Sequence, residues 1–248
     1  MRNFLIPLVA CLMGSALLSS CGVAPELKPS LGGYGRDEYG HRPGPQGFRT
    51  VILDAGHGGK DSGAISQHTG MKEKDLTLDT VKRVRAELGS EFNVVLMRNG
   101  DYFIDLDERV ARTNQYANAI LVSIHYNSSR SPSTRGVETY YWRVDSHGLA
   151  TRSQRAMTSV AGESNSRGLV RRRIRLTRNP QIPCLLLELG YLSHAQESRL
   201  VASPEYRQKL ARGIAGAIRQ QAQIGDAGTG PLPRPINAPP SRPTDAPE

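Results

Sequence analysis

The chain has 248 residues, 38% of them hydrophobic and 22% charged, with a formal net charge of +9. That length holds one or two ordinary domains, and three cysteines are too few to staple a small disulfide scaffold. The positive balance calls for acidic partners or a solvated basic face, and nucleic acid has to be weighed among the former.

Met1-Arg2-Asn3 is a short basic start, and residues 4–18 form an apolar run ending in Leu18-Ser19-Ser20-Cys21. Such a run is too short for a spanning helix and fits the apolar core of a signal peptide, assigned here to residues 1–20. The Leu-Ser-Ser-Cys ending resembles the bacterial lipoprotein cleavage box, which implies cleavage before Cys21 and acylation of that residue; plain secretion is the alternative. Several acyl chains give stable anchoring where one is marginal. Gly22, rather than Asp, after the cysteine favours the outer membrane. The expectation is an exported bacterial lipoprotein on the periplasmic side, anchored to the outer membrane through Cys21, a location where nucleic acid is not an ordinary partner. Cys11 leaves with the signal and Cys21 carries lipid, so Cys184 stands alone as a small buried strand residue.

Residues 21–48 read as the lipidated cysteine and a flexible linker rich in Gly, Pro and charge, and residues 224–248 as a Pro-rich disordered tail. One globular domain is expected over residues 49–223. Within it, strands are predicted at residues 50–53, 93–97, 120–124, 137–142, 174–176 and 184–189, several as continuous apolar runs typical of a sheet buried on both faces. Leu78, Val81, Val84 and Leu88 mark one helical face. Leu106, Val110, Thr113 and Ala117 mark a second, after Asp105 with Glu108 as a capping box. Residues 148–161 suit one ordinary helix, and Ser203-Pro204-Glu205 starts a last helix with the face Tyr206, Leu210, Ile214, Ile218. The fold class is α/β, a single domain with a central twisted, mostly parallel sheet of about six strands flanked by helices.

Much of the charge is local. Arg167, Arg171, Arg172, Arg173, Arg175 and Arg178 crowd one stretch, with Arg171, Arg173 and Arg175 on one face of the predicted strand and Ile174 and Leu176 on the other. Free carboxylates of an acidic polymer, lipid phosphate and a merely solvated face all remain open for this patch.

Four residues carry the chemistry: His57, Glu73, His125 and Glu188, each at the edge of an apolar run. Singly, they read as a loop histidine, a first-turn helix acid favoured by the macrodipole, a core histidine and an arginine partner. Together they match a catalytic zinc site, where three nitrogen or oxygen ligands hold the ion, one position stays open for water, and a carboxylate off the metal moves protons. Glu188 suits that last role because it follows Cys184-Leu185-Leu186-Leu187, and a charge at the end of a buried strand is costly without a purpose or a partner. The commonest zinc-protease signature, His-Glu-x-x-His, is missing.

The stretches Leu53-Asp54-Ala55-Gly56-His57-Gly58-Gly59-Lys60-Asp61-Ser62-Gly63-Ala64, Glu73-Lys74-Asp75-Leu76, Arg98 with Asp101, Leu106 to Arg109, Ser123-Ile124-His125-Tyr126-Asn127, Gly136-Val137-Glu138, Arg167-Gly168 and Glu188-Leu189-Gly190-Tyr191-Leu192-Ser193 resemble, in order, the zinc-dependent N-acetylmuramoyl-L-alanine amidases of bacterial cell walls. The resemblance spans about residues 49–222. It implies Zn²⁺ on His57, Glu73 and His125, Glu188 as catalytic glutamate, peptidoglycan or a muropeptide as substrate, and hydrolysis between N-acetylmuramic acid and L-alanine. His194 and Tyr191 stand where the family more often has Asn and Phe. Some relatives carry a long helical insertion that plugs the zinc site; between Trp142 and Gly162 this chain has room for one helix only, and no protein regulator is legible. A zinc carboxypeptidase and a non-catalytic wall-binding lipoprotein remain as alternatives.

Overall fold

The computed structural model describes residue 1 and residues 43–233. The expected signal segment, Cys21, most of the linker and the tail beyond residue 233 lie outside the described residues.

Largely continuous apolar runs at its centre build a six-stranded sheet in the order β2-β1-β3-β6-β4-β5, from β1 (Thr50–Ala55), β2 (Asn93–Leu96), β3 (Ala119–Asn127), β4 (Val137–Tyr141), β5 (Ser166–Arg171) and β6 (Cys184–Tyr191). All neighbours run parallel except β4 and β6, which pair antiparallel. The helices are α1 (Glu73–Leu88), α2 (Leu106–Thr113), α3 (His147–Ala161), the single turn α4 (Arg175–Arg178), α5 (Ala195–Ala202) and α6 (Pro204–Ile224).

Because successive strand residues point to opposite faces, the two faces acquire separate cores. Val51, Leu53, Ile120, Val122, Leu185 and Leu187 join α1, α3 and α6 in the larger one. Ile52, Leu121 and Cys184 join Met97, Ile104, Val110 and Leu176 in a smaller one roofed by α2 and α4. His125 and Glu188 belong to the same alternation as Leu121 and Cys184, so they open on the thinly covered face.

Two expectations change. The stretch 174–176 is not a strand: Ile174 is the N-cap of α4, and the sheet edge is β5 instead. Ile174 and Leu176 are both buried, but in different clusters, and an apolar pair two residues apart cannot distinguish a strand from a turn of helix. Arg171, Arg173 and Arg175 therefore do not share a strand face; Arg171 ends β5, while Arg175 begins α4 and pairs with Asp107 of α2. The second helix also stops early. Gln115 and Tyr116 bond back to the carbonyls of Arg112 and Thr113 and close the turn, leaving Ala117 exposed outside the helix. Asp105 does cap α2, accepting from the Asp107 amide at 2.8 Å, while Glu108 turns to Arg112.

The packed unit takes in residues on both sides of 49–223. Phe48 is 1% exposed and stacks on Phe92 with ring centroids 5.8 Å apart. The Gly47 amide donates to the Ala222 carbonyl at 2.8 Å, the Gly44 amide to Asp226 at 2.6 Å, and Arg152 to the carbonyls of Gly225 and Ala227. Phe48→Ala is expected to cost about 3–5 kcal/mol, the usual range for a buried phenylalanine. Urea unfolding of the variant beside the parent checks this, and a loss below about 1 kcal/mol would show that the segment contributes nothing to the core.

Candidate metal centre

β1 ends at Ala55 and hands the chain to Gly56-His57-Gly58-Gly59. His57 has φ +61°, a left-handed conformation unfavourable for a residue with a side chain. Two buried guanidinium groups hold it there. Arg98 donates through Nε to the Ala55 carbonyl at 2.9 Å and through Nη2 to the Gly56 carbonyl at 2.8 Å. Arg109 donates to the Ala55 carbonyl at 3.0 Å and the His57 carbonyl at 2.8 Å. Its buried charge is balanced by Asp54, which also accepts from the Ser123 hydroxyl at 2.7 Å.

Glu73 opens α1 and is 4% exposed. The Ala64 amide donates to its Oε2 at 2.9 Å and the Tyr126 amide to its Oε1 at 3.1 Å. Oε1 also lies 3.0 Å from both His57 Nε2 and His125 Nδ1. Burial alone would raise the Glu73 pKa, but hydrogen bonds from and the charge of His125 and His57 outweigh it and hold the carboxyl well below the usual carboxylate range. For His57, burial acts to lower the pKa, and Glu73 with Asp61 overrides it, raising the value to about 9. Asp61 meets His57 Nδ1 at 2.8 Å, which aims Nε2 at Glu73 in the manner of a carboxylate orienting a metal-ligating imidazole.

His125 is 4% exposed in β3, and its Nε2 is buried with no hydrogen-bond partner. Donor atoms of His57, Glu73 and His125 fall within 4.8 Å of one another. Two imidazole nitrogens and a carboxylate oxygen form the donor set of a zinc-type site with room for a further ligand. One carboxylate oxygen 3.0 Å from a nitrogen of each imidazole is an arrangement that a bound divalent cation would satisfy, so the residues present fit such an ion. Glu188, half-buried on the adjacent strand, is in register with His125. Phe103, Ile104 and Leu106 complete a cavity of about 260 Å³ with His57, Asp61 and His125.

His57, Glu73 and His125 thus come together near the carboxyl ends of β1 and β3, the usual position for a site in an open α/β sheet, and Glu188 stands one strand away on β6. Sequence reasoning assigned no role to Asp61, Arg98, Arg109 or Glu138. The usable signal for Glu138 was a carboxylate inside an otherwise apolar strand, where it is 3% exposed.

The chain matches the N-acetylmuramoyl-L-alanine amidase family model over residues 51–220. It is 31% identical over 173 residues to the probable cell wall amidase LytH of Staphylococcus saprophyticus, using 69% of this chain and spanning 57% of that protein. The fold superposes on the N-acetylmuramoyl-L-alanine amidase of Clostridium difficile 630 with a TM-score of 0.67 at 30% identity, covering 71% of this chain and 97% of the other. For the amidase AmiC2 of Nostoc punctiforme the TM-score is 0.65 at 36% identity, with the same coverages. The chain belongs to the N-acetylmuramoyl-L-alanine amidase family and is a hydrolase of that type.

Gly63 tests the packing around the ligands. Its φ is +61°, and a Cβ there would sit 2.6 Å from the His57 ring and 2.7 Å from Glu73 Oε2. Gly63→Ala should lower metal stoichiometry well below that of the parent, as read by elemental analysis after dialysis. Full stoichiometry in the variant would mean that the ligand cluster tolerates displacement.

Proposed function

We propose that this chain hydrolyses the amide between N-acetylmuramic acid and L-alanine in peptidoglycan or muropeptides, with Zn²⁺ held by His57, Glu73 and His125 and with Glu188 as the general base. The observation that carries the reading is the register of Glu188 beside His125, which sets a carboxylate one strand from the ligand cluster. When bound, zinc supplies a Lewis acid that acidifies water and polarises the lactyl carbonyl. Glu73 and the two imidazoles hold the ion, and Asp61 keeps His57 in the ligating orientation. Glu188 takes the proton of the attacking water and passes it to the amine of L-alanine as the bond breaks. A zinc carboxypeptidase would use similar ligands, but the family membership favours the amidase.

The site also supports action without removal of an occluding helix. The chain between β4 and β5 is taken up mainly by α3, whose Leu149 and Met157 pack into the larger core on the sheet face opposite His125 and Glu188. Leu18-Ser19-Ser20-Cys21 further supports an outer-membrane lipoprotein anchored through Cys21 on the periplasmic side.

Glu188→Gln should retain zinc and lose about 10²- to 10⁴-fold in turnover, whereas His57→Ala and His125→Ala should lose both. Metal analysis paired with release of L-alanyl peptides from sacculi reads both outcomes; a Gln variant keeping more than about a tenth of the parental rate would remove Glu188 as base. For the anchor, Cys21→Ala should shift the protein out of the membrane fraction. Parental protein whose amino-terminal peptide carries no acyl mass would rule the anchor out.

A further inference from the structure

Beyond Glu188 the sheet carries a row of polar side chains that the hydrolytic step does not use. Glu138 of β4 is in register with Glu188, and β5 follows with Gly168 opposite Glu138. The Glu138 carboxylate accepts from Asn127 Nδ2 at 2.8 Å, the Tyr191 hydroxyl at 2.7 Å and Arg167 Nε at 3.3 Å. The Arg167 side chain is 40% exposed, with its guanidinium 5.4 Å from the Tyr191 ring centroid. Arg172 is exposed and lies over the Tyr140 ring at 5.9 Å. Glu138 offsets one of these two guanidinium charges, so the strip keeps one net positive charge. Aromatic rings beneath planar cations limit their freedom while leaving an edge for an anion.

We propose that Arg167 and Arg172 form a subsite for a free carboxylate of the stem peptide, so that the peptide half of the substrate runs from Glu188 across β4 and β5. This rests on the amidase reading above. Glu188 hands its proton to the leaving amine, and that amine belongs to the peptide half, which therefore departs on the Glu188 side of the site. The sugar half then lies on the other side, toward His57 and the cavity lined by Phe103 and Leu106. Neighbouring strands are about 4.8 Å apart, so β4 and β5 stand roughly 5 and 10 Å from β6. Extended peptide advances about 3.5 Å per residue, which carries the second and third stem residues over this strip. A stem whose second residue is a glutamate linked through its side chain presents its α-carboxylate there, and guanidinium groups pair with carboxylates bidentately.

The test uses the zinc-loaded full-length chain and two ligands, N-acetylmuramoyl-L-alanyl-D-glutamate with its γ-carboxyl blocked as a methylamide and the same compound with its α-carboxyl also as an amide. The parent should show a KM roughly tenfold lower for the acid, as expected for a charge-assisted hydrogen bond, with similar kcat. Arg172→Gln leaves the Glu138 ion pair in place and should erase most of that difference through KM. Arg167→Gln should do the same, with partial recovery in Arg167→Lys, and added salt should shrink the parental preference. Cleavage of both ligands with equal KM overturns the subsite and leaves the amidase reading standing. Cleavage of neither, with zinc present, overturns the amidase reading and the subsite with it. Equal KM values, together with Arg172-dependent binding to vesicles containing phosphatidylglycerol, would assign the arginines to lipid phosphate instead.

Discussion

The centre depends on two guanidinium groups buried beneath the end of β1. Arg98 and Arg109 direct hydrogen bonds to three successive carbonyls, those of Ala55, Gly56 and His57, and so bind down backbone that has left the sheet ladder. Without them, His57 would have to hold its left-handed conformation unaided. Burying two like charges is unfavourable unless each is compensated. Asp54 answers Arg109 directly, and Arg98 relies on carbonyl and hydroxyl acceptors, including Lys74 and Thr77 of α1 at 2.7 and 3.0 Å. Those last contacts fasten the first turn of α1, and hence Glu73, to the loop that carries His57. His57 and Glu73, distant in sequence, are thereby set by one side chain.

The sheet topology supplies the rest. Parallel pairing of β1, β3 and β6 collects three chain ends at one edge, whereas the antiparallel step to β4 brings a strand start, near Gly136, to that same edge. Glu138 therefore faces Glu188 near the beginning of its own strand. Glu197 of α5 fixes this corner by accepting from the amides of Gly136 and Tyr191, the latter at 2.8 Å. His194 caps that helix, its Nδ1 accepting from the Glu197 amide at 3.3 Å. An imidazole nitrogen can make the bond that an asparagine oxygen makes at an N-cap, which accounts for a histidine at a position where the resemblance points to asparagine.

Much of this was legible in the sequence, for definite reasons. β1, β3 and β6 are apolar on both faces, so each reads as a short continuous apolar run, and His57, His125 and Glu188 follow or end those runs. α6 announced itself through Ser203 and Pro204 as well as its apolar face. The failures have physical causes too. β5 contains Gly168 at φ +79° and runs along the sheet edge, where only one neighbour constrains its pattern. α4 is a single turn whose apolar residues serve two different clusters. The roles of Arg98 and Arg109 escaped because their partners are backbone carbonyls, which leave no trace in side-chain spacing.

The thin cover over one sheet face explains both the cavity and the polar row beside it. Three long helices close the larger core, but on the other face α2 and the single turn α4 shield only the amino-terminal parts of β3 and β6. From His125 onward these strands emerge from under that roof, and their outward residues become His125, Glu188 and, across β4, Glu138 and Tyr140. Polar groups this little exposed can occupy such positions without weakening the core only if they satisfy one another, and Glu138 does so with Asn127, Tyr191 and Arg167. The same lack of cover that leaves the cavity beside His57 and His125 open therefore requires a charged, mutually bonded wall beside it, and in this chain Arg167 contributes to that wall through Glu138.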